Sequence, residues 1–243
     1  MLDVVKTAAI HAGRKVLLKR PKGLTYTSKE RLGDFATDAD TDSQTIIITE
    51  LQRRFPRHNF VAEEDSLRVD NHSEYTWVID PLDGTIPDSS GLPIFGISIG
   101  LLKDSKPVLG VVNLPQQGWL FWAEKAKGAF MNGERIRVSD KKELIKCVVG
   151  FDYAYPGMRQ EELTALISPV VDKVRYPPML GSAVAACSFV AKGILDGYLH
   201  SAHPWDYAAA AVLVTETGGR VSDFQGQPID WSKEWINFLP AMV

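Results

Sequence analysis

Residues 77–85 read WVIDPLDGT. An apolar run, Trp77, Val78 and Ile79, meets two carboxylates, Asp80 and Asp83, with Pro81 between them and Gly84-Thr85 behind. Acids at i and i+3 would share one face of a helix, but Pro81 disfavours helical geometry at Asp80. Asp83-Gly84 is a turn signal. The expected local structure is therefore a buried strand that ends in a bend, with both carboxylates at its tip. A solvated turn is one reading, since Asp-Gly turns are common. A pair of groups aimed at a shared ligand is the other.

Working outward, Leu2, Val5, Ala9, Ala12 and Val16 recur at helical spacing and predict a first helix to about Leu18. RPKGLTYTSKERLGD reads as a polar loop, and TDSQTIIITELQRR (41–54) as a second helix capped by Thr41 or Asp42 and stopped by Pro56. Residues 95–138 switch to period two and read as an antiparallel meander whose last hairpin turns at Asn132-Gly133. The second half alternates strands (CVVGF, DGYL and a final RVSDF) with helices at 159–174, after Gly181-Ser182, and over PWDYAAAAVLVTETGG. That alternation predicts a three-layer lobe. The polar stretch 139–146 divides residues 1–142, an α+β lobe carrying most of the acids of interest, from residues 143–243, an α/β lobe; the two are expected to act as one unit.

With 243 residues, 45% apolar and 23% charged, the chain has the composition of an ordinary globular protein. A net charge of -3 gives no basis for a nucleic-acid polymer or membrane-surface partner. Two cysteines, Cys147 and Cys187, make no disulfide framework, so a cytoplasmic setting is expected. The opening MLDVVKTAAIHAG has an acid at position 3 and no long apolar block, so a signal peptide is not expected. No stretch approaches the roughly 20 apolar residues of a membrane span.

Two further stretches repeat the pattern of the opening one. VAEED runs a short apolar strand into Glu63, Glu64 and Asp65, and PWDYAAAA sets Asp206 in the first turn of an apolar helix. Each alone reads as an acid favoured by a helix dipole. Together they make three acidic tips on apolar elements, and clustered buried carboxylates repel one another and lose hydration. Such a cluster calls for cations, and all-oxygen ligands favour Mg²⁺, Mn²⁺ or Ca²⁺ over zinc. Hard divalent ions held by carboxylates serve phosphoryl chemistry. Free N–H groups at DGT and GSA offer anion seats. There is no GxxxxGK[ST] and no GxSxG.

WVIDPLDGT, VAEED and WDYAAAAVLVTETGG resemble the signature blocks of the inositol monophosphatase-like, metal-dependent and lithium-sensitive phosphatases. GDFATDAD resembles a further block of that family. The resemblance spans essentially the whole chain. It implies a layered αβαβα sandwich of mixed α/β class and a homodimer. It also implies direct attack of a metal-activated water on a small polyol or sugar phosphate, with two or three Mg²⁺ (or Mn²⁺) per site. Related activities it leaves open are a 3′-phosphoadenosine 5′-phosphate nucleotidase and a fructose-1,6-bisphosphatase. A catalytically silent metal- or anion-binding interaction protein is the reading of another class. The resemblance implies that Glu63, Asp80, Asp83, Asp206 and the carbonyl of Leu82 hold metal. It gives Thr85 with Asp40 the task of activating the water, and gives Asp83, Gly84, Thr85, Gly181, Ser182, Ala183 and Asp206 contact with the substrate. Lys29 falls where relatives carry a lysine near the metal, and Glu64 reads as a supporting residue. The chain departs from the family at Pro87-Asp88, where an Asn-Phe pair is usual, a change expected at the substrate mouth. It departs again at Leu199, where inositol-selective members carry a glutamate. His203 reads as structural or exposed, and Cys187 as a buried small hydrophobe.

Overall fold

The computed structural model describes residues 1–20, 23–29, 35–153, 156–157, 159–234 and 236–241. Helix α1 (Leu2–Lys19) forms as its spacing predicts and buries Val5, Ala8, Ala9, Ala12 and Val16. Within the polar loop predicted after it, Tyr26–Ser28 forms a strand, β1, which pairs antiparallel with β2 (Phe35–Thr37) just beyond that loop. Part of that predicted loop, and positions 33 and 34 of GDFATDAD, fall outside the described residues.

Helix α2 (Asp38–Arg54) starts before the expected Thr41 or Asp42. Thr37 is its cap: the Ala39 N–H donates to Thr37 Oγ1 (3.2 Å), and the Thr37 N–H donates to Asp40 Oδ2 (2.8 Å). This reciprocal capping box sets the helix start, and it fixes Asp40 by the backbone.

Eight strands form the main sheet. They are β3 (Asn59–Ala62), β4 (Arg68–Val69), β5 (Tyr75–Asp83), β6 (Gly96–Lys103), β7 (Lys106–Leu114), β8 (Trp119–Glu124), β9 (Gly128–Met131) and β10 (Glu134–Arg135). Their order is β10-β9-β8-β7-β6-β5-β3-β4. The β9–β10 hairpin turns through Asn132 and Gly133, as read from the sequence, both with positive φ. A short helix α3 (Thr85–Ser89) follows β5.

The second sheet, ordered β11-β12-β14-β13, is built from β11 (Val149–Phe151), β12 (Gly197–Ala202), β13 (Arg220–Ser222) and β14 (Ile236–Ala241). β14 has no counterpart in the sequence reading, because Pro240 argues against a strand there. It lies antiparallel to both β12 and β13, and Pro240 pairs with Val221. The helix predicted over 159–174 is broken into α4 (Arg159–Glu162), a π-helical turn Leu163–Ile167, and α5 (Ser168–Val171). Pro169 explains the break, since it cannot donate to a carbonyl four residues back. The remaining helices are α6 (Ala183–Ala191), capped by Ser182, and α7 (Pro204–Glu216).

The layers run α1/α2, main sheet, α6/α7, second sheet, within a mixed α/β fold. One core holds α1 and α2 against Trp77, Ile79, Ile97 and Ile99. Another holds α6 and α7 against Val112, Phe121 and Phe238. The alanine run of α7 can lie on the main sheet because β7 offers Gly110, where a Cβ would come 2.3 Å from the Ala209 carbonyl. The N-termini of α6 and α7 and the C-terminal end of β5 are thereby brought to one place. Among the described residues no helix is long and apolar enough to cross a membrane.

Asp88 does not line the substrate mouth, contrary to expectation. Its carboxylate is buried on α3 and pairs with Arg20 Nε at 2.7 Å, beyond the end of α1. Burial raises its pKa, and the Arg20 guanidinium opposes the rise. Arg20→Met is expected to cost about 3 kcal/mol at neutral pH, because it strands a buried charge. The loss should shrink on acidification as Asp88 takes up a proton. Arg20→Met with Asp88→Leu should recover most of it, and urea unfolding of the three proteins measures all of this.

Candidate active site

β5 does not end at Asp80. It continues to Asp83 with a register shift against β6 between the two acids. A bulge of this kind re-aims side chains, and here Asp80, Asp83 and Asp206 bring carboxylate oxygens within 4.8 Å of one another. Each is held from behind by a backbone donor. The Leu82 N–H donates to Asp80 Oδ1 (2.9 Å), Val184 N–H to Asp83 Oδ2 (2.8 Å), and His203 N–H to Asp206 Oδ2 (2.8 Å). The Ser182 hydroxyl also donates to Asp83. Asp206 therefore serves the end of α7 and the cluster together, so the two readings of that acid are not exclusive.

Gly84 makes the exit from β5 possible. Its φ is +84°, and a Cβ there would lie 2.8 Å from the Ile94 carbonyl. The Thr85 hydroxyl lies 3.0 Å from both Asp40 Oδ1 and the Leu82 carbonyl. The Ser43 hydroxyl, on α2, donates to the Pro81 carbonyl at 2.6 Å and ties that helix to the bulge.

Glu63 lines the same cavity but is not one of the tight group of three. Lys29 Nζ holds it at 2.8 Å and Glu64 at 2.9 Å. Burial works against the Lys29 charge, but Glu63 and Glu64 outweigh it and keep the ammonium above its usual pKa. Glu64 is clamped by Gln44 through both its N–H and its carbonyl (3.0 Å each). Gly181, Ser182 and Ala183 line the cavity opposite Gly84 and Thr85.

The cavity measures about 480 Å³. Leu199, where inositol-selective members carry a glutamate, does not line it; the next residue, His200, does. Burial lowers the His200 pKa to about 4, so the ring is neutral at pH 7. His203 does line the cavity, bonded through Nδ1 to the Glu234 carbonyl (2.8 Å) and stacked on Trp205. Cys187 is fully buried, as read.

Asp152 is a cavity residue the sequence reading missed. It accepts from the Gly181 N–H (2.9 Å) and the Tyr198 hydroxyl (2.8 Å), and burial still lifts its pKa to about 6. The signal was present, since CVVGF is a further apolar strand that runs into an acid.

Burial, followed by mutual repulsion, drives the acid cluster toward protonation. Asp80 and Asp206 are pushed well above the carboxylate range, by burial and then by the neighbouring acids. Glu63 rises to about 7 through burial, against the pull of Lys29. Asp83 rises to about 6 through burial, against hydrogen bonds from Ser182 and Val184. A divalent cation would relieve this, and an all-oxygen set at this spacing fits a hard one.

The pH dependence of the metal-free protein has a definite sign. The folded state binds these protons more tightly than the unfolded chain, so stability is fully present below about pH 4 and lost as pH rises through about 6 and 7. The chelated protein should melt lower at about pH 8 than at about pH 5, and added divalent ion should reverse the trend. A melting temperature that rises over that interval without metal would contradict the assignment.

A family model described as the inositol monophosphatase family matches residues 1–238. An inositol-1-monophosphatase of Mesorhizobium japonicum is 34% identical over 231 residues, covering 93% of this chain and 86% of that protein. A fructose-1,6-bisphosphatase/inositol-1-monophosphatase of Thermotoga maritima is 36% identical over 205 residues, covering 84% and 77%. Among solved structures, the extragenic suppressor protein suhB of Bartonella henselae superposes with a TM-score of 0.93 at 31% identity, covering 99% of this chain and 93% of that one.

Proposed function

The chain belongs to the inositol monophosphatase family, and we propose that it hydrolyses a small polyol or sugar phosphate as a Mg²⁺-dependent phosphomonoesterase. The observation that carries this reading is the convergence of Asp80, Asp83 and Asp206 from β5 and α7 in a cavity that Glu63 and Thr85 also line. Asp80, Asp83, Asp206, Glu63 and the Leu82 carbonyl would hold the metal, with Mn²⁺ as a substitute. Bound there, the metal supplies positive charge that neutralises phosphoryl oxygens and acidifies water.

The chain's own groups do the rest. Thr85 Oγ1, within reach of Asp40 Oδ1, orients the attacking water and passes its proton to Asp40. Burial raises the Asp40 pKa against its hydrogen bonds from Thr37 and Thr85, which suits a proton acceptor. Asp40 needs no motion to act, because the α2 cap already fixes it. Gly84, Thr85 and the 181–183 turn flank the phosphate. Ser182 and Val184 aim Asp83 at the cluster, and their hydrogen bonds oppose its protonation.

On this reading residues 1–142 and 143–243 form one catalytic unit, and two chains form a homodimer, which light scattering tests. The function is tested by phosphate release from inositol phosphates, fructose 1,6-bisphosphate and phosphoadenosine phosphate, with Mg²⁺ and with chelator. Chelator-sensitive turnover of a polyol or sugar monoester is expected. Metal binding without turnover on any ester would favour a silent binding protein.

A further inference from the structure

The cavity wall beyond the acid cluster carries Tyr153, Arg159, His200 and His203, and several of its smaller polar groups already bond within the protein. The hydroxyl of Ser90 is donated to the Ile86 carbonyl, and that of Ser201 bonds Asn237 Oδ1. The Ser182 hydroxyl is spent on Asp83. Both oxygens of Asp152 already accept from within the protein. These oxygens keep lone pairs that can accept from a substrate hydroxyl, so this wall admits a polyol without requiring one.

The mouth also carries apolar side chains, beside the exposed Arg159. Ile86, Leu92 and Met179 line the cavity with 51%, 52% and 47% of their surfaces exposed. They come from two segments that touch. The Leu92 N–H donates to the Pro87 carbonyl (2.9 Å), and a Cβ on Gly181 would lie 2.8 Å from Pro87 Cγ. The α3 side and residues 179–181 thus bring apolar side chains together on one part of the rim.

We infer that this site has a second substrate class: phosphate monoesters of alcohols that present an apolar face, which the Ile86, Leu92 and Met179 rim covers while the phosphate sits at the acid cluster. The step is the same hydrolysis. The ester P–O bond breaks, water supplies the new P–O bond, and the alcohol leaves with a proton. The inference rests on the phosphatase reading above.

Cyclohexyl phosphate and inositol 1-phosphate share a six-carbon ring and differ in their hydroxyls, so they separate the two contributions. The Mg²⁺-loaded full chain should turn over cyclohexyl phosphate with kcat/KM at least equal to that for inositol 1-phosphate. Leu92→Ser combined with Met179→Ser should shift that ratio about tenfold toward inositol phosphate, chiefly through KM, as removal of apolar contact does. Both residues are exposed, and a melting temperature near that of the parent confirms folding. Robust hydrolysis of inositol phosphate with cyclohexyl phosphate more than tenfold poorer would overturn the inference and leave the phosphatase reading intact. An unchanged ratio in the variant, with a change in oligomeric mass, would assign the rim to a second copy of the chain. No release from either ester would overturn both readings.

Discussion

Asp80→Asn is expected to lower turnover by about a thousandfold while leaving the metal-free protein at least as heat-stable as the parent. The side chain is 1% exposed, and its pKa is driven up first by burial and then by Glu63, Asp83 and Asp206. Asparagine keeps an oxygen for the Leu82 N–H, so the local bend survives. It removes one member of a repelling cluster, which favours the fold when no cation is present. It also removes a charge the cation needs. Steady-state rates at saturating Mg²⁺, with melting curves in chelator, check both halves. A variant that is inactive because it no longer folds would contradict the account, and so would one that is stable and still active.

Thr85→Ala is the second large effect, a fall of about a hundredfold in kcat with little change in KM. Its hydroxyl links Asp40 to the Leu82 carbonyl and to the place where water must be oriented. Thr85→Ser keeps the hydroxyl and should restore most of the rate. Equal losses in both variants would mean that the threonine methyl, rather than the hydroxyl, is what the site needs.

The acids of the site were legible because each sits where an apolar element stops. WVID, VAEE and PWD all break a hydrophobic pattern with a charge, and such conflicts mark functional positions. The details between them were not legible. The bulge that carries β5 on to Asp83 depends on its pairing with β6, which no local pattern encodes. The Thr37 cap hid inside FATDAD because several residues there could cap a helix, and only the fold selects one. β14 was hidden by Pro240, which is tolerated because its neighbours on both sides still pair. Asp88 looked like a change at the substrate mouth, yet its partner Arg20 lies 68 positions away in sequence, at the end of another helix. Long-range partners of this kind leave no mark in either segment alone.

The central claim is that Asp80, Asp83 and Asp206 converge on a divalent cation. Anomalous diffraction from crystals soaked in Mn²⁺ tests it most directly. The account predicts at least one strong peak inside the cavity, within about 2.5 Å of oxygens from both β5 and α7. Well-ordered crystals that turn over substrate with Mn²⁺, yet show no peak between those carboxylates, would contradict it.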